Sequence, residues 1–285
     1  MNAPAPVDAV HAFSSDASGR THYRRAGPVD GPVVVFVSGA TLPMAVWEPL
    51  AAKLVDAGFH VLRYDLPGRG HTRPLSHRAD FQAHLDQLEA LLNDLDIRQP
   101  VRLVGLASGA LVVAAYASAN PARVSHAALI APDGAATHFT PTERLLGTPV
   151  IGDLLFRLSA RRTLLARIPR YSSRPQTRAF VEELLMYSLG TPGFHQAVLA
   201  TVRTFPLHDG EAQYRKLRDA GIPTCVVWGA EDLITPAAAA GVFTTLFGRD
   251  AVHVLQGAGH LPFVEAPASV GLMLERHFAG SRPGF

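Results

Sequence analysis

Leu103-Val104-Gly105-Leu106-Ala107-Ser108-Gly109-Ala110 joins a short apolar run to a stretch of small residues through two glycines four positions apart. This pattern predicts a strand that turns sharply into a helix. The backbone closes on itself at such an elbow, so the residues two before and two after its apex must be small. Gly105 and Gly109 therefore put Ala107 at the apex.

Outward from the elbow the chain alternates. Val33-Val34-Val35-Phe36-Val37 is a continuous β-branched run ending at Ser38-Gly39, the pattern of a strand buried on both faces. Leu50, Leu54 and Val55 predict a helix from Trp47 to Ala57, His60 to Tyr64 a strand, and Asp65-Leu66-Pro67-Gly68-Arg69-Gly70 a turn. A helix over 81–95, the strand Val101 to Val104, a helix from Leu111 to Ala119 and the strand His126 to Ile130 continue the rhythm. It predicts an α/β fold with a mostly parallel central sheet and helices on both faces. An opening hairpin is expected from Val7 to Phe13 and Arg20 to Arg25, with Ser14 to Gly19 as its loop.

The alternation stops between about Asp133 and Glu211. That segment holds helical patterns around Glu143 to Leu146, Ile151 to Leu165, Thr177 to Leu189 and Phe194 to Thr204. The rhythm resumes with Thr224 to Trp228, Ala237 to Phe247, Val252 to Leu255 and Ala268 to Phe278. The expected organisation is a core formed by 1–133 and 212–285, interrupted by a helical insertion over 134–211.

Composition narrows the function classes. Hydrophobic residues make up 48% and charged residues 18% of the 285, which excludes a disordered chain, and 24 Gly with 22 Pro imply many turns. Basic residues number 26 against 24 acidic, with no Lys or Arg run to track a phosphate backbone, so nucleic acid is not an expected partner. Cys225 is the single cysteine and lies in an apolar run, as a small buried hydrophobe would; a reducing compartment fits. Residues 1–16 lack the pattern of a signal peptide, and no segment approaches the roughly 18 apolar residues of a membrane span. A cytoplasmic protein with a small-molecule substrate and no membrane partner is expected. Thirteen histidines show no metal-ligand spacing, and the dinucleotide-binding glycine pattern is missing, so neither a metal nor another cofactor is expected.

Ligands of open parallel sheets bind beyond the carboxyl ends of the strands. Besides the elbow, two such ends carry chemistry. Val226-Val227-Trp228-Gly229-Ala230-Glu231-Asp232 delivers an acid shortly before Pro236, and Gln256-Gly257-Ala258-Gly259-His260-Leu261-Pro262 presents a histidine after two glycines.

In that order, with the elbow first, the chain resembles the α/β-hydrolase superfamily over nearly its whole length. Val37-Ser38-Gly39-Ala40 stands where that family usually has a His-Gly oxyanion turn, Tyr64 to Gly70 is similar to its Asp-x-x-Gly-x-Gly loop, and the insertion looks like its lid. The resemblance implies Ala107 at the nucleophile position, Asp232 as acid, His260 as base, and the N–H groups of Ala40 and Ser108 as oxyanion hole. The implied function is hydrolysis of a small or medium ester, lactone or thioester. The same scaffold also carries C–C hydrolases, lyases and cofactor-free oxygenases.

Ala107 departs from the pattern, because a methyl group cannot attack a carbonyl. Ser108 is a poor substitute, since its own neighbours two away would be Leu106 and Ala110. Either a serine was replaced by this alanine, or the alanine is native and His260 with Asp232 acts as a general base in non-hydrolytic chemistry. A binding protein that kept the pocket is the third possibility. Simpler roles stand beside these: Asp232 as a helix cap, Glu231 as the alternative acid, His260 as a buried structural residue. Ser38 and Trp47 are candidates for the substrate pocket, although Trp47 also fits the core at the start of its helix.

Overall fold

The β-branched runs become the middle of one sheet. The computed structural model describes residues 12–16, 19–73, 80–135 and 145–280. Its strands are β1 (Ala12–Asp16), β2 (Gly19–Ala26), β3 (Val33–Val37), β4 (His60–Tyr64), β5 (Val101–Leu106), β6 (Val124–Ile130), β7 (Thr224–Gly229) and β8 (Val252–Leu255). They form one eight-stranded sheet in the order β1-β2-β4-β3-β5-β6-β7-β8. The β1/β2 and β2/β4 pairs are antiparallel and the others parallel. Every residue of β3, β4 and β7 is buried, which is why Val33–Val37 and 225–228 run apolar without alternation; β4 carries His60 and Arg63 buried as well.

Helices α1 (Glu48–Asp56), α2 (Phe81–Asp94) and α3 (Ser108–Ala119) lie in the first half of the chain. The crossovers β3-α1-β4 and β5-α3-β6 run in opposite directions along the sheet. Right-handed connections therefore put α1 and α3 on opposite faces. The insertion between β6 and the second half holds α4 (Ile151–Ala166), α5 (Ile168–Tyr171), α6 (Pro175–Leu189) and α7 (Phe194–Thr204). After it come α8 (Glu211–Asp219), α9 (Ala240–Phe247), α10 (Pro262–Glu265) and α11 (Pro267–Ala279). α8 packs on α3, and α11 on α1. Among the described residues no helix is long and apolar enough to cross a membrane.

Three local expectations change. Ser14 to Asp16, read as loop, belong to β1, where Asp16 pairs with Gly19 of β2. An edge strand is held by backbone bonds, so polar residues suffice there. The helix of the elbow starts at Ser108, three residues before its apolar pattern shows, and the residues before α1 form a 3-10 turn, Met44–Trp47. The helical pattern around Glu143 lies partly outside the described residues.

Candidate active site

The elbow is as tight as its glycines demand. A Cβ on Gly105 would lie 2.6 Å from the Gly109 carbonyl oxygen, and one on Gly109 would lie 2.5 Å from those of Val37 and Ser38. Gly109 thus closes the turn and lets the end of β3 rest on it. Ala107 adopts φ 49° and ψ −117°, a backbone conformation that costs a residue with a Cβ on the order of 1–3 kcal/mol. Its N–H donates to Ile130 O at 3.0 Å, and its carbonyl accepts from Asp133 N at 3.3 Å, so the apex is tied to the end of β6.

Asp232, three residues past β7, splits its two oxygens between two tasks. Oδ1 accepts from the N–H groups of Ile234 at 2.8 Å and Thr235 at 3.0 Å, capping its own loop. Oδ2 lies 2.8 Å from His260 Nδ1 and 2.8 Å from the Thr235 hydroxyl. The cap and the acid are the same residue. Glu231 faces elsewhere and accepts from the Ser173 hydroxyl at 2.9 Å. Burial pushes the Asp232 carboxyl up, but the charge and hydrogen bond of His260, with those of Thr235 and Ile234, hold it below the usual carboxylate range. His260 is buried, and its Nε2 makes no hydrogen bond among the described residues.

A chain of contacts joins this pair to the elbow. The Thr235 hydroxyl is 3.1 Å from Ala131 O, at the end of β6 beside Ala107. On the other side, the ring of Tyr171 from α5 meets the His260 ring edge-on with centroids 5.4 Å apart, and Tyr171 O accepts from His260 N at 2.8 Å. The Tyr171 hydroxyl is hydrogen-bonded to Thr41 Oγ1 at 3.2 Å, next to Ala40. A Cβ on the neighbouring Gly39 would lie 3.5 Å from that of Ala107, which closes the circuit. Ala107, Asp232, His260 and the Ser38-Gly39-Ala40 turn are thus gathered at one end of the sheet, and Ser108 follows the apex as the first residue of α3.

Ser38 and Trp47, the pocket candidates, are bound to each other. The Trp47 indole N–H donates to Ser38 Oγ at 3.0 Å, and the ring is stacked 4.4 Å from Phe263 with Phe36 at 4.7 Å. Trp47 is 0% exposed, so it occupies the core and holds the Ser38-Gly39-Ala40 turn through its bond to Ser38. The same turn is also held by Arg69. This fully buried guanidinium donates to Ala40 O at 2.9 Å, to Pro67 O at 2.8 Å, and to Ala197 O and Thr201 Oγ1 of α7 at 3.2 and 2.8 Å. Burial lowers its pKa to about 9.

Sequence reasoning passed over Thr235, Thr41, Arg69 and Tyr171 as site residues. The Asp232-x-x-Thr235 spacing of a side-chain-capped turn was a usable signal for the first. Two cavities, of about 510 and 260 Å³, lie away from the elbow. The larger is near Thr224 and His277 at the amino ends of the parallel strands. The smaller lies against a second buried pair, His22 and Asp65, whose Nδ1 and Oδ2 are 2.6 Å apart.

Comparison with known proteins agrees with this geometry. The family model for the alpha/beta hydrolase fold matches residues 32–267. An uncharacterized protein of Mycobacterium tuberculosis is 25% identical over 281 residues, covering 92% of this chain and 80% of that one. A thermophilic esterase from Thermogutta terrifontis superposes with a TM-score of 0.78 at 22% identity, over 94% of this chain and 97% of its own. The enol-lactonase from Burkholderia xenovorans does so with 0.75 at 18% identity, over 94% and 100%. The chain belongs to the alpha/beta hydrolase fold family.

Proposed function

We propose that this family member is built for acyl-group hydrolysis. With a serine at position 107 the site cleaves a small or medium ester, lactone or thioester, and with Ala107 it binds such a substrate and turns it over slowly or not at all. The observation that carries this reading is the strained backbone of Ala107 beside an intact Asp232–His260 pair. An alanine gains nothing from that conformation, whereas a serine there would project its hydroxyl from the elbow.

In the serine form the apex hydroxyl attacks the carbonyl and passes its proton to His260, which returns it to the leaving group. Asp232 keeps Nδ1 protonated and stabilises the imidazolium, and the N–H groups of Ala40 and Ser108 receive the oxyanion. Arg69 and the Trp47–Ser38 bond support that turn. Without the nucleophile, kcat falls by about 10⁶, or roughly 8 kcal/mol of barrier. What remains is attack by a water that His260 polarises in the space a serine would fill.

Treating the chain and Ala107→Ser with a fluorophosphonate, and reading intact masses, tests the proposal. Labelling of the serine form alone is expected. If neither form is labelled, the elbow does not activate a nucleophile and the reading fails.

A second reading has one observation of its own. Ser38, where the family usually has histidine, is built into the core by its bond from Trp47, as expected of a site that diverged naturally. Ala107 is then native, and the His260/Asp232 base drives elimination, cyclisation or attack on O₂ by proton abstraction. On that account His260→Ala abolishes turnover while Ala107→Ser leaves it nearly unchanged. Ligand binding that survives His260→Ala, with no turnover in either form, marks a non-catalytic binding protein instead.

A further inference from the structure

The outward face of α4 is apolar. Ile151, Leu154, Leu155 and Leu158 recur three and four residues apart, share one side of the helix, and are 58, 59, 38 and 76% exposed. The opposite side, Phe156, Ala160 and Leu164, is buried and seats the helix on the insertion. Holding α4 in place therefore does not require the outer stripe, whose side chains form one continuous apolar face instead of lying scattered singly.

Arg157, Arg161 and Arg162 are exposed on the same helix. Its one acid, Asp153, is bound by Arg203 of α7 at 2.9 Å. Residues 150–174 carry six arginines and a single aspartate, although the whole chain has a formal charge of only +2.

We propose that this face docks on an anionic lipid bilayer, with the leucines entering the headgroup boundary and the three arginines meeting lipid phosphates. An amphipathic helix with leucines on one side and arginines beside them binds in the plane of such a surface and needs no membrane span. A second copy of the chain fits less well. It would bring two sets of exposed arginines together, and the one acid of α4, Asp153, is already held by Arg203. The 16 residues of α4 also offer a strip only ~24 Å by ~10 Å, far below the ~800 Å² per partner of a stable protein interface. The inference is independent of the chemistry at position 107.

Cosedimentation of the full chain with vesicles tests it. Binding is expected to an equal mixture of phosphatidylcholine and phosphatidylglycerol, to be much weaker on phosphatidylcholine alone, and to fall with salt. Leu154→Asp with Leu158→Asp should lower partitioning by about a hundredfold. Arg161→Ser with Arg162→Ser should lower it by about tenfold or more, and keeps the test decidable if the leucine pair disturbs folding. Arg218→Glu, on exposed α8, should change it far less. Equal binding to the two vesicle types, or binding that survives both double variants, overturns the proposal. So does a concentration-dependent mass in light scattering that the leucine variant abolishes without any vesicle binding, which would assign the face to a second copy.

Discussion

Among the described residues stand two buried histidine–aspartate pairs, and their internal geometry does not tell them apart. His260 Nδ1 is 2.8 Å from Asp232 Oδ2 and His22 Nδ1 is 2.6 Å from Asp65 Oδ2, with all four side chains at most 4% exposed. Their surroundings differ. Asp65 also accepts from Met44 N at 2.8 Å and His71 N at 3.1 Å, so it ties the end of β4 to the loop after β3 and to its own turn. Asp232 spends its second oxygen on its own loop and stands where parallel strands bring an elbow beside it. A histidine–aspartate pair is a candidate base only where a third group is presented to it, and elsewhere the same chemistry is a fastening.

The largest expected effect separates the pairs by reactivity. In an Ala107→Ser background, His260→Ala should slow fluorophosphonate labelling and ester turnover by about 10⁴- to 10⁶-fold. His22→Ala should leave the labelling rate of the folded protein nearly unchanged. Equal slowing by His22→Ala, with the fold intact by circular dichroism, would break the distinction.

Stability should reverse the ranking. His22→Ala leaves the Asp65 charge buried without its partner, a change that costs about 3–5 kcal/mol and is measurable by denaturant unfolding. His260→Ala should cost about 1 kcal/mol less, because Asp232 retains two backbone N–H donors and the Thr235 hydroxyl, whereas Asp65 retains the backbone N–H donors of Met44 and His71.

Acid distinguishes the site from its surroundings in a different way. Burial, then the charge of Arg69, holds His84 to a pKa of about 4, despite its bond to Asp80 O. The unfolded histidine takes a proton near 6.5, so this stabilisation is complete above about pH 6.5 and about 3 kcal/mol of it is lost as pH falls to about 4. The depressed Asp232 carboxyl contributes above the unfolded value of about 3.9 and is lost only as pH falls through its folded value. Unfolding free energy against pH should therefore fall in two windows. His277, also held to about 4 by burial and by His126, shares the upper one. His84→Gln should shrink the upper step and leave the lower, while Asp232→Asn should shrink the lower and leave the upper.

The fold and the three principal positions were legible because local forces set them. Continuous burial selects β-branched runs such as Val33–Val37, and the crowding at the elbow selects Gly105 and Gly109, with no knowledge of distant residues. The asymmetry between Glu231 and Asp232 was also legible from spacing. Arg69 was not, since its bonds reach Ala40 and α7, nor was Tyr171, which meets His260 only after the insertion folds back. Trp47 was ambiguous for a related reason. Its position on a helix start fits a core or a wall, and the rings of Phe36 and Phe263, far apart in the chain, decide for the core.

Strain is distributed between the two regions as unevenly as reactivity. Around Asp65 the positive φ angles fall on glycines, Gly68 at 71° and Gly70 at 53°. At the ends of β5 and β6 they fall on alanines, Ala107 at 49° and Ala131 at 45°. Ala107→Gly releases about 1–3 kcal/mol of strain, against ~0.8 kcal/mol for the lost methyl and ~0.4–1 kcal/mol for the freer unfolded chain. The substitution should thus be near neutral, between about 1 kcal/mol destabilising and about 2 kcal/mol stabilising. Ala114→Gly, buried within α3 with ordinary helical geometry, should instead cost about 1–2 kcal/mol by the same denaturant measurement. The difference between the two alanines is the informative result, because it would show that the surrounding fold holds position 107 in an elbow that its own side chain does not favour. Equal losses at the two alanines would mean that the apex is relaxed, and the readiness of a serine there to react would lose its structural basis.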